Sequence, residues 1–234
     1  MIAVSRTHQG KVRLSNQDSL LIRQGPFSLY AVADGMGGHR GGNVASAMAV
    51  TALNHVNLLD EPQESALLDA VNQANAAIWE HQLRDLSLSG MGTTLTVLWE
   101  GTETLLIAHV GDSRAYRFLN GELTQVTMDH SLVGELLRSG AITAEMARRY
   151  PYRNIVTRAV GTDAAVQTDI YRLSKLPGSR WLLCSDGLTE YALPQQLIGA
   201  LNLPLEQAAD ELMSIALEGG GRDNITLIIL EVPA

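Results

Sequence analysis

Apolar stretches that stop at an aspartate beside glycine occur three times in this chain, and no other pattern constrains its fold as much. Each stretch is rich in strand-forming residues, so each predicts a strand whose end carries a carboxylate. A fourth aspartate follows a run of glycines and comes just before an apolar stretch, at the predicted start of a strand. These four residues are Asp34, Asp112, Asp186 and Asp223.

The four aspartates are expected to meet at one rim of a sheet. In an antiparallel sheet the end of one strand lies beside the start of its neighbour. Carboxylates that close would raise one another's pKa values unless cations lie among them. Ligand sets made only of oxygen favour Mg²⁺, Mn²⁺ or Ca²⁺ over zinc. For Asp34 alone, a glycine-rich turn with a helix cap is the simpler interpretation, because Asp before Gly is ordinary turn chemistry.

The spacing of apolar residues predicts an α+β fold in which helices cover antiparallel sheets. Asn120 and Gly121 join two strands in the strongest short hairpin pattern, and the glycine-rich segment after Asp34 is interpreted as a loop. The chain is predicted to form a single domain over 1–234, with an insertion over the sheet at about 131–160. Predicted helices cover 45–56, a stretch from about 62 to 78, 131–138 and 205–216, with a helical start at 143–145; predicted strands cover 2–8, 20–23, 93–99, 104–110, 114–119, 122–126, 166–173, 180–185 and 225–232.

Composition narrows the class of protein and the compartment. Apolar residues make up 46% of the chain and charged residues 18%, which is typical of a soluble globular protein with a sizeable core. The net charge of -8 argues against general nucleic-acid affinity. One cysteine excludes a disulfide framework and a Cys-rich zinc site. Without a signal-peptide pattern or a spanning apolar run, the chain is expected in the cytoplasm and not in a membrane.

Several other site types do not fit. A dinucleotide fingerprint starting at Gly35 fails because Arg40 stands where a third glycine is required, and no P-loop motif occurs. Cys184 is not followed by an Arg at the spacing of a thiolate phosphate site, since position 190 is Glu, so a core role is favoured. The histidines show no His-x-x-x-His pair on a predicted helix, which argues against zinc.

Seven short motifs, in order along nearly the whole chain, closely resemble those of the PP2C-type (PPM) metal-dependent serine/threonine protein phosphatases in their compact bacterial form. Any one of them would be weak support. They are Gly10-Lys-Val-Arg13 with Asn16-Gln17-Asp18, Asp34-Gly-Met-Gly-Gly-His39, Gly90-Met-Gly-Thr-Thr94, Val110-Gly-Asp-Ser-Arg114, Asp129-His-Ser131, Ser185-Asp-Gly-Leu-Thr189 and Gly221-Arg-Asp-Asn224.

The resemblance implies two stacked antiparallel sheets with a helix pair on each outer side, and a two-metal site. Two Mn²⁺ or Mg²⁺ ions would be bridged by Asp34 and would activate a shared hydroxide that attacks phosphorus directly. Arg13 would bind the substrate phosphate, and residues 131–160 would form the family's flap. The implied metal ligands are Asp34, the Gly35 carbonyl, Asp186 and Asp223 for the two main ions, Asp112 for a weaker third ion shared with Asp186, and Asp18 through a metal-bound water.

The implied function is hydrolysis of phosphoserine and phosphothreonine on cytoplasmic proteins by a monomer that opposes a bacterial Ser/Thr kinase. Two alternatives stay open: an inactive module of the same fold that binds phosphoproteins, and a phosphatase of small phosphoesters. Met36 stands where eukaryotic members have a general-acid His, so the leaving group's proton must come from metal-bound water or from His39. Gln17 replaces their Glu. The arginines at 148, 149, 153 and 158 form either a solvated face or a functional basic cluster.

Overall fold

The described residues of the computed structural model are 1–148 and 150–233, and the side chains at 38–40, 144 and 148 lie outside that description. Within them the strands form two antiparallel sheets. Sheet I has the order β1 (Ile2–His8), β11 (Ile225–Glu231), β10 (Arg180–Cys184), β7 (Arg114–Leu119), β8 (Glu122–Gln125). Sheet II has the order β2 (Asp18–Arg23), β3 (Leu29–Met36), β5 (Leu95–Glu100), β6 (Thr104–Val110), β9 (Asp169–Ser174), and β4 (Gly92–Thr93) pairs with the end of β3.

The four longest helices lie on the outer faces of the two sheets, because each has an apolar side that needs a partner. Ala45 and Leu67, from the first two helices, share a buried cluster with sheet II residues. Leu197 and Leu212, from the sixth and seventh, share another with sheet I residues. The helices are α1 (Gly38–Ala52), α2 (Glu64–Arg84), α3 (Leu132–Arg138), α4 (Ala144–Arg148), α5 (Asp186–Thr189), α6 (Pro194–Leu201) and α7 (Leu205–Gly219).

A third buried cluster lies between the sheets. It joins Tyr30 and Ile107 of sheet II to Trp181 and Ile228 of sheet I, all of them at most 1% exposed. The layers are therefore helix, sheet, sheet, helix, as predicted. The chain passes between the sheets at residues 111–113, since β6 belongs to sheet II and β7 to sheet I.

Several elements differ from the sequence-based predictions, and two of them lie beside Asp34. Helix α1 begins at Gly38, inside the segment interpreted as a loop, because its glycines let the helix backbone lie directly against the end of β3. It ends at Ala52, and a 3₁₀ turn over Leu53–His55 follows, so Val56 lies outside it. The predicted strand 93–99 is broken at Thr94, which hydrogen-bonds instead to the end of β3.

Helix α6 was not predicted, although its first residues have a sequence pattern typical of a helix N-terminus. Pro194 occupies its first turn, and the side chain of Gln196 accepts a hydrogen bond from the Leu193 N–H at 2.9 Å. None of the helices in the described ranges has both the length and the apolar character needed to cross a membrane. The assignment of one domain with a flap at about 131–160 stays a prediction.

Candidate active site

A cavity of about 670 Å³ brings together most of the residues singled out in the sequence. Arg13 and Gly35 line it together with the four aspartates. Residues 154–156, within the predicted flap, also line it. The four aspartates are Asp34, Asp112, Asp186 and Asp223.

Both sheets contribute carboxylates to this cavity. Asp34 lies near the end of β3, and Asp112 follows β6. These two strands run in the same direction on either side of β5. Asp186 follows β10, and Asp223 precedes β11, its antiparallel partner in sheet I. The predicted single rim is thus formed by matching ends of two stacked sheets.

Thr94 connects the two aspartates of sheet II. Its Oγ1 accepts a hydrogen bond from the Asp34 N–H at 2.9 Å and lies 2.8 Å from the Ser113 Oγ, next to Asp112. Its own N–H donates to the Asp34 carbonyl oxygen at 2.8 Å. The side chain of Thr94 is buried and its hydroxyl has two partners, so Thr94 fixes the spacing between the Asp34 and Asp112 backbones. The sequence showed Thr94 only as part of a motif, without a role.

The glycine after each of two aspartates is required by close backbone packing. A Cβ on Gly35 would collide with the carbonyl oxygens of Gly42 and Gln17, and a Cβ on Gly187 would collide with the carbonyl oxygen of Asn224. The Asp-Gly pairs therefore mark points where another segment of backbone lies against the end of a strand. This contact holds the start of α1 beside Asp34.

Asp18 lies behind the cavity. It pairs in register with Asp34 across β2 and β3, and its Oδ2 accepts a hydrogen bond from the Ser185 Oγ at 2.8 Å. The described residues that line the cavity do not include Asp18. Its position one layer back is compatible with the predicted contact through water.

Burial and the neighbouring carboxylates raise the pKa values of the aspartates in the cavity. Burial raises the pKa of Asp34 well above its usual range, and Asp18, Asp186 and Asp112 add to that shift. Burial, with Asp186 as the next contributor, raises the pKa of Asp112 to about 8. Burial, followed by the nearby Asp223, raises the pKa of Asp186 to about 6. Keeping these groups ionised at neutral pH requires positive charge within the cavity.

Arg13 supplies one positive charge. Its guanidinium donates to the Asp223 Oδ2 at 2.5 Å, and half of its side chain is exposed. The loop that carries Arg13 is held by Asn224, whose Nδ2 donates to the carbonyl oxygens of Gln9 and Ser15 at 2.8 and 2.9 Å. Arg13 and Asp223 are therefore positioned by the same turn. Apart from its place in a motif, nothing in the sequence indicated this role for Asn224.

The predicted flap is tied to the Asp112 turn through His130. The backbone N–H of His130 donates to the Gly111 carbonyl oxygen at 2.7 Å, and the Gly111 N–H donates to the His130 Nδ1 at 3.0 Å. The Nε2 of His130 lies 3.2 Å from the Asp169 carboxylate and 3.0 Å from the Arg158 guanidinium. The Leu132 N–H donates to the Ile155 carbonyl oxygen at 2.9 Å, so the segment around Ile155 in the predicted flap is held at the cavity.

The flap arginines are not one basic cluster in the described residues. Arg158 pairs with Asp169 at 2.8 Å, and Arg153 pairs with Glu190. The side chain of Arg148, and Arg149 as a whole, lie outside the described residues, as does the side chain of His39, so the proposal that His39 is a proton donor stays a prediction. Met36 lines the cavity and has no proton to donate.

The donor chemistry of the cavity fits hard divalent cations. The carboxylate oxygens Asp18 Oδ1 and Asp186 Oδ1 are buried and have no hydrogen-bond partner, and such atoms are costly unless something pairs with them. Among the described side chains, no group of three or more His, Cys, Asp or Glu has the geometry of a ready-made metal site. The fit therefore rests on the all-oxygen donors, the orphaned oxygens and the concentrated negative charge.

Comparisons with known proteins agree with this chemistry. A family model described as protein phosphatase 2C matches residues 6–222. Serine/threonine phosphatase stp of Listeria welshimeri is 38% identical over 241 residues, covering 99% of this chain and 96% of that protein. Serine/threonine protein phosphatase PstP of Mycobacterium tuberculosis is 40% identical over 232 residues, covering 97% of this chain but 44% of PstP. This chain thus spans less than half the length of that relative.

A solved structure of a relative has the same fold. The crystal structure of the catalytic domain of a PstP in complex with two manganese ions matches with a TM-score of 0.89 at 37% identity, covering 100% of this chain and 98% of that chain. The fold class and the family predicted from the sequence are both confirmed. The chain belongs to the protein phosphatase 2C family.

Proposed function

We propose that this chain is a metal-dependent phosphatase that hydrolyses phosphoserine and phosphothreonine in proteins. The observation that carries the proposal is the shared cavity, in which four carboxylates from two sheets lie beside an arginine. The named relatives that cover the chain are serine/threonine phosphatases, which supports protein substrates.

The cavity carboxylates would hold the cations. Asp34 would bridge two Mn²⁺ or Mg²⁺ ions, the Gly35 carbonyl would bind one of them, and Asp186 with Asp223 would bind the other. Asp112 would hold a weaker third ion, and Asp18 would contribute through water. When bound, the cations supply an acidified water and positive charge for the phosphoryl oxygens. The two manganese ions bound to the related catalytic domain support the two main ions of this proposal.

The chain's own residues would orient the phosphate. Arg13 has one guanidinium nitrogen on Asp223 and further N–H donors available in a planar fork, which suits the tetrahedral oxygens of a phosphate. The bond from Thr94 to the Asp34 backbone and the turn held by Asn224 keep the carboxylates and Arg13 at fixed positions. Such preorganisation lowers the cost of aligning the groups during the reaction.

The proposal also covers the partners of the protein and its location in the cell. The substrates would be cytoplasmic proteins phosphorylated by a bacterial Ser/Thr kinase, and the chain would act as a monomer. The presence of all four aspartates speaks against an inactive binding module. Small phosphoesters remain a competing substrate class, which kinetics can separate from proteins.

The test compares hydrolysis of a phosphothreonine peptide with hydrolysis of a sugar phosphate, in chelator and after addition of Mn²⁺. We expect hydrolysis only with the cation and much higher kcat/KM for the peptide. Asp34→Asn should lower kcat by more than about 100-fold, since even outer-shell changes cost 10–100-fold, and should abolish Mn²⁺ binding in calorimetry. The control is Asp69→Asn, an exposed aspartate on α2. Full activity in excess chelator would contradict the proposal.

A further inference from the structure

Two apolar segments line the cavity that holds the carboxylates. Val12 and Leu14, on either side of Arg13, are 64% and 84% exposed, and Ile155 of the predicted flap is 45% exposed. Single exposed apolar side chains are common on protein surfaces and need no explanation. Three that line the same polar cavity indicate that something apolar is bound beside the charged centre.

The two segments are held at different places in the cavity. The loop with Val12 and Leu14 is fixed beside Asp223, through the Arg13 ion pair and the Asn224 hydrogen bonds. Ile155 is fixed near Asp112, because its carbonyl accepts from Leu132, two residues after the His130 that bonds Gly111. The apolar side chains therefore border the charged centre next to two different aspartates.

We infer that this phosphatase prefers substrates with apolar side chains immediately beside the phosphorylated residue. This inference rests on the proposed function. A phosphate bound to Arg13 brings the adjacent peptide residues close, since each residue of an extended chain advances only about 3.3–3.6 Å. Those neighbours then lie within reach of Val12 and Leu14, which directly adjoin Arg13 in the chain.

A charged residue beside the phosphoresidue would gain no favourable contact from the three apolar side chains, which we call the apolar rim. Val12, Leu14 and Ile155 offer no side-chain hydrogen bond, so a polar neighbour would lose hydration without compensation. A charged neighbour such as Glu would lose more hydration than a neutral polar one, because burying an unpaired charge costs more than burying a hydroxyl. An apolar neighbour instead removes its own surface and that of the rim from water. The occupant that fits is a phosphorylated peptide segment with apolar flanks.

The first test uses the unmodified protein with Mn²⁺ and three phosphothreonine peptides of equal length, with Leu, Ser or Glu on both sides of the phosphothreonine. We expect kcat/KM for the Leu-flanked peptide to exceed that for the Ser-flanked peptide by about tenfold, the effect of burying part of two apolar side chains. The Glu-flanked peptide should be the poorest substrate. Equal values for the three peptides would overturn the inference and leave the proposed function standing. No hydrolysis of any peptide would overturn both.

The second test assigns the preference to the rim. Leu14→Ser and Ile155→Ser should each reduce the ratio of kcat/KM between Leu-flanked and Ser-flanked peptides by about threefold or more, and Leu14→Met should preserve it. The control is Leu86→Ser, which removes a side chain of similar exposure, 81%, outside the cavity and should leave the ratio unchanged. A ratio that is unchanged in both rim variants, or reduced equally in the control, would contradict the assignment.

Discussion

Arg13 pairs with Asp223 in the structure and is proposed to bind the substrate phosphate. Because half of its side chain is exposed, the ion pair should contribute no more than about 1 kcal/mol to the free energy of unfolding. We predict that Arg13→Ala raises KM for a phosphopeptide by roughly 10–100-fold, the value of a charge-assisted hydrogen bond. Arg13→Lys should restore part of the loss, since Lys cannot make the bidentate contact. Steady-state kinetics and urea unfolding measure the two effects separately.

Arg6 is the matched control for Arg13. Its guanidinium pairs with Asp210 and Glu206 at 2.8 and 2.7 Å, and it does not line the cavity. Arg6→Ala should leave KM unchanged. An equal rise in KM for both variants would mean that lost charge in general, and not a phosphate contact at Arg13, is responsible.

Thr94 is the residue whose hydroxyl joins Asp34 to Ser113. We predict that Thr94→Val, which keeps the shape and removes the hydroxyl, lowers the free energy of unfolding by about 1–3 kcal/mol, because the Asp34 N–H loses its partner inside the protein. It should also lower kcat, since Asp34 is no longer held. Thr94→Ser retains the hydroxyl and should behave close to the wild type in urea unfolding and in turnover. A loss in Thr94→Ser as large as that in Thr94→Val would contradict the assignment of the effect to the hydroxyl.

The contact between α1 and the end of β3 makes one helix glycine indispensable. A Cβ on Gly42 would lie 2.6 Å from the Gly35 carbonyl oxygen, whereas a Cβ on Gly199 of α6 would meet no atom within 4 Å. We predict that Gly199→Ala stabilises the protein by about 0.5–1 kcal/mol, the helix cost of glycine. Gly42→Ala should destabilise it despite the same gain in helix propensity. Thermal unfolding of the two variants measures whether each change stabilises or destabilises the protein. Stabilisation by Gly42→Ala would contradict the close contact.

The elements predicted from sequence were those with a clear period, and the errors have physical causes. The hairpins around Gly101 and Gly121 were predicted because their strands and turns are encoded locally. The start of α1 was missed because its glycines are helical only through contact with β3, which periodicity does not show. The break at Thr94 was missed because the residue looks like a strand former while its hydroxyl bonds to Asp34.

The carboxylates of the candidate site could be predicted from the sequence, but the residues that hold them in place could not. Asp34 and Asp186 follow apolar runs, so their positions could be predicted from the ends of the predicted strands. The order of the motifs indicated the family. The supports given by Asn224 and His130 depend on contacts between segments far apart in the chain. Such contacts leave no periodic signal in a single sequence.

The apolar layer between the sheets joins the two sheets that carry the cavity carboxylates. Trp181 is fully buried in that layer. We predict that Trp181→Ala lowers the free energy of unfolding by about 3–5 kcal/mol, a large fraction of the 5–15 kcal/mol typical of a domain. Urea unfolding measures the loss. The control Leu83→Ala, at a residue 60% exposed on α2, should change the free energy by less than about 0.5 kcal/mol, and equal effects would contradict the role of the inter-sheet layer.

The order of strands in sheet I affects how quickly the protein can fold. Strand β11 lies between β1 and β10, and its residue Ile225 pairs with His8, more than 200 positions earlier in the chain. Contacts so distant in sequence raise the contact order and slow folding. Because Asp223 directly precedes β11, its carboxylate reaches the cavity only when that strand is inserted. The proposed hydrolytic activity should therefore be among the last properties to return during refolding, after most of the secondary structure has formed.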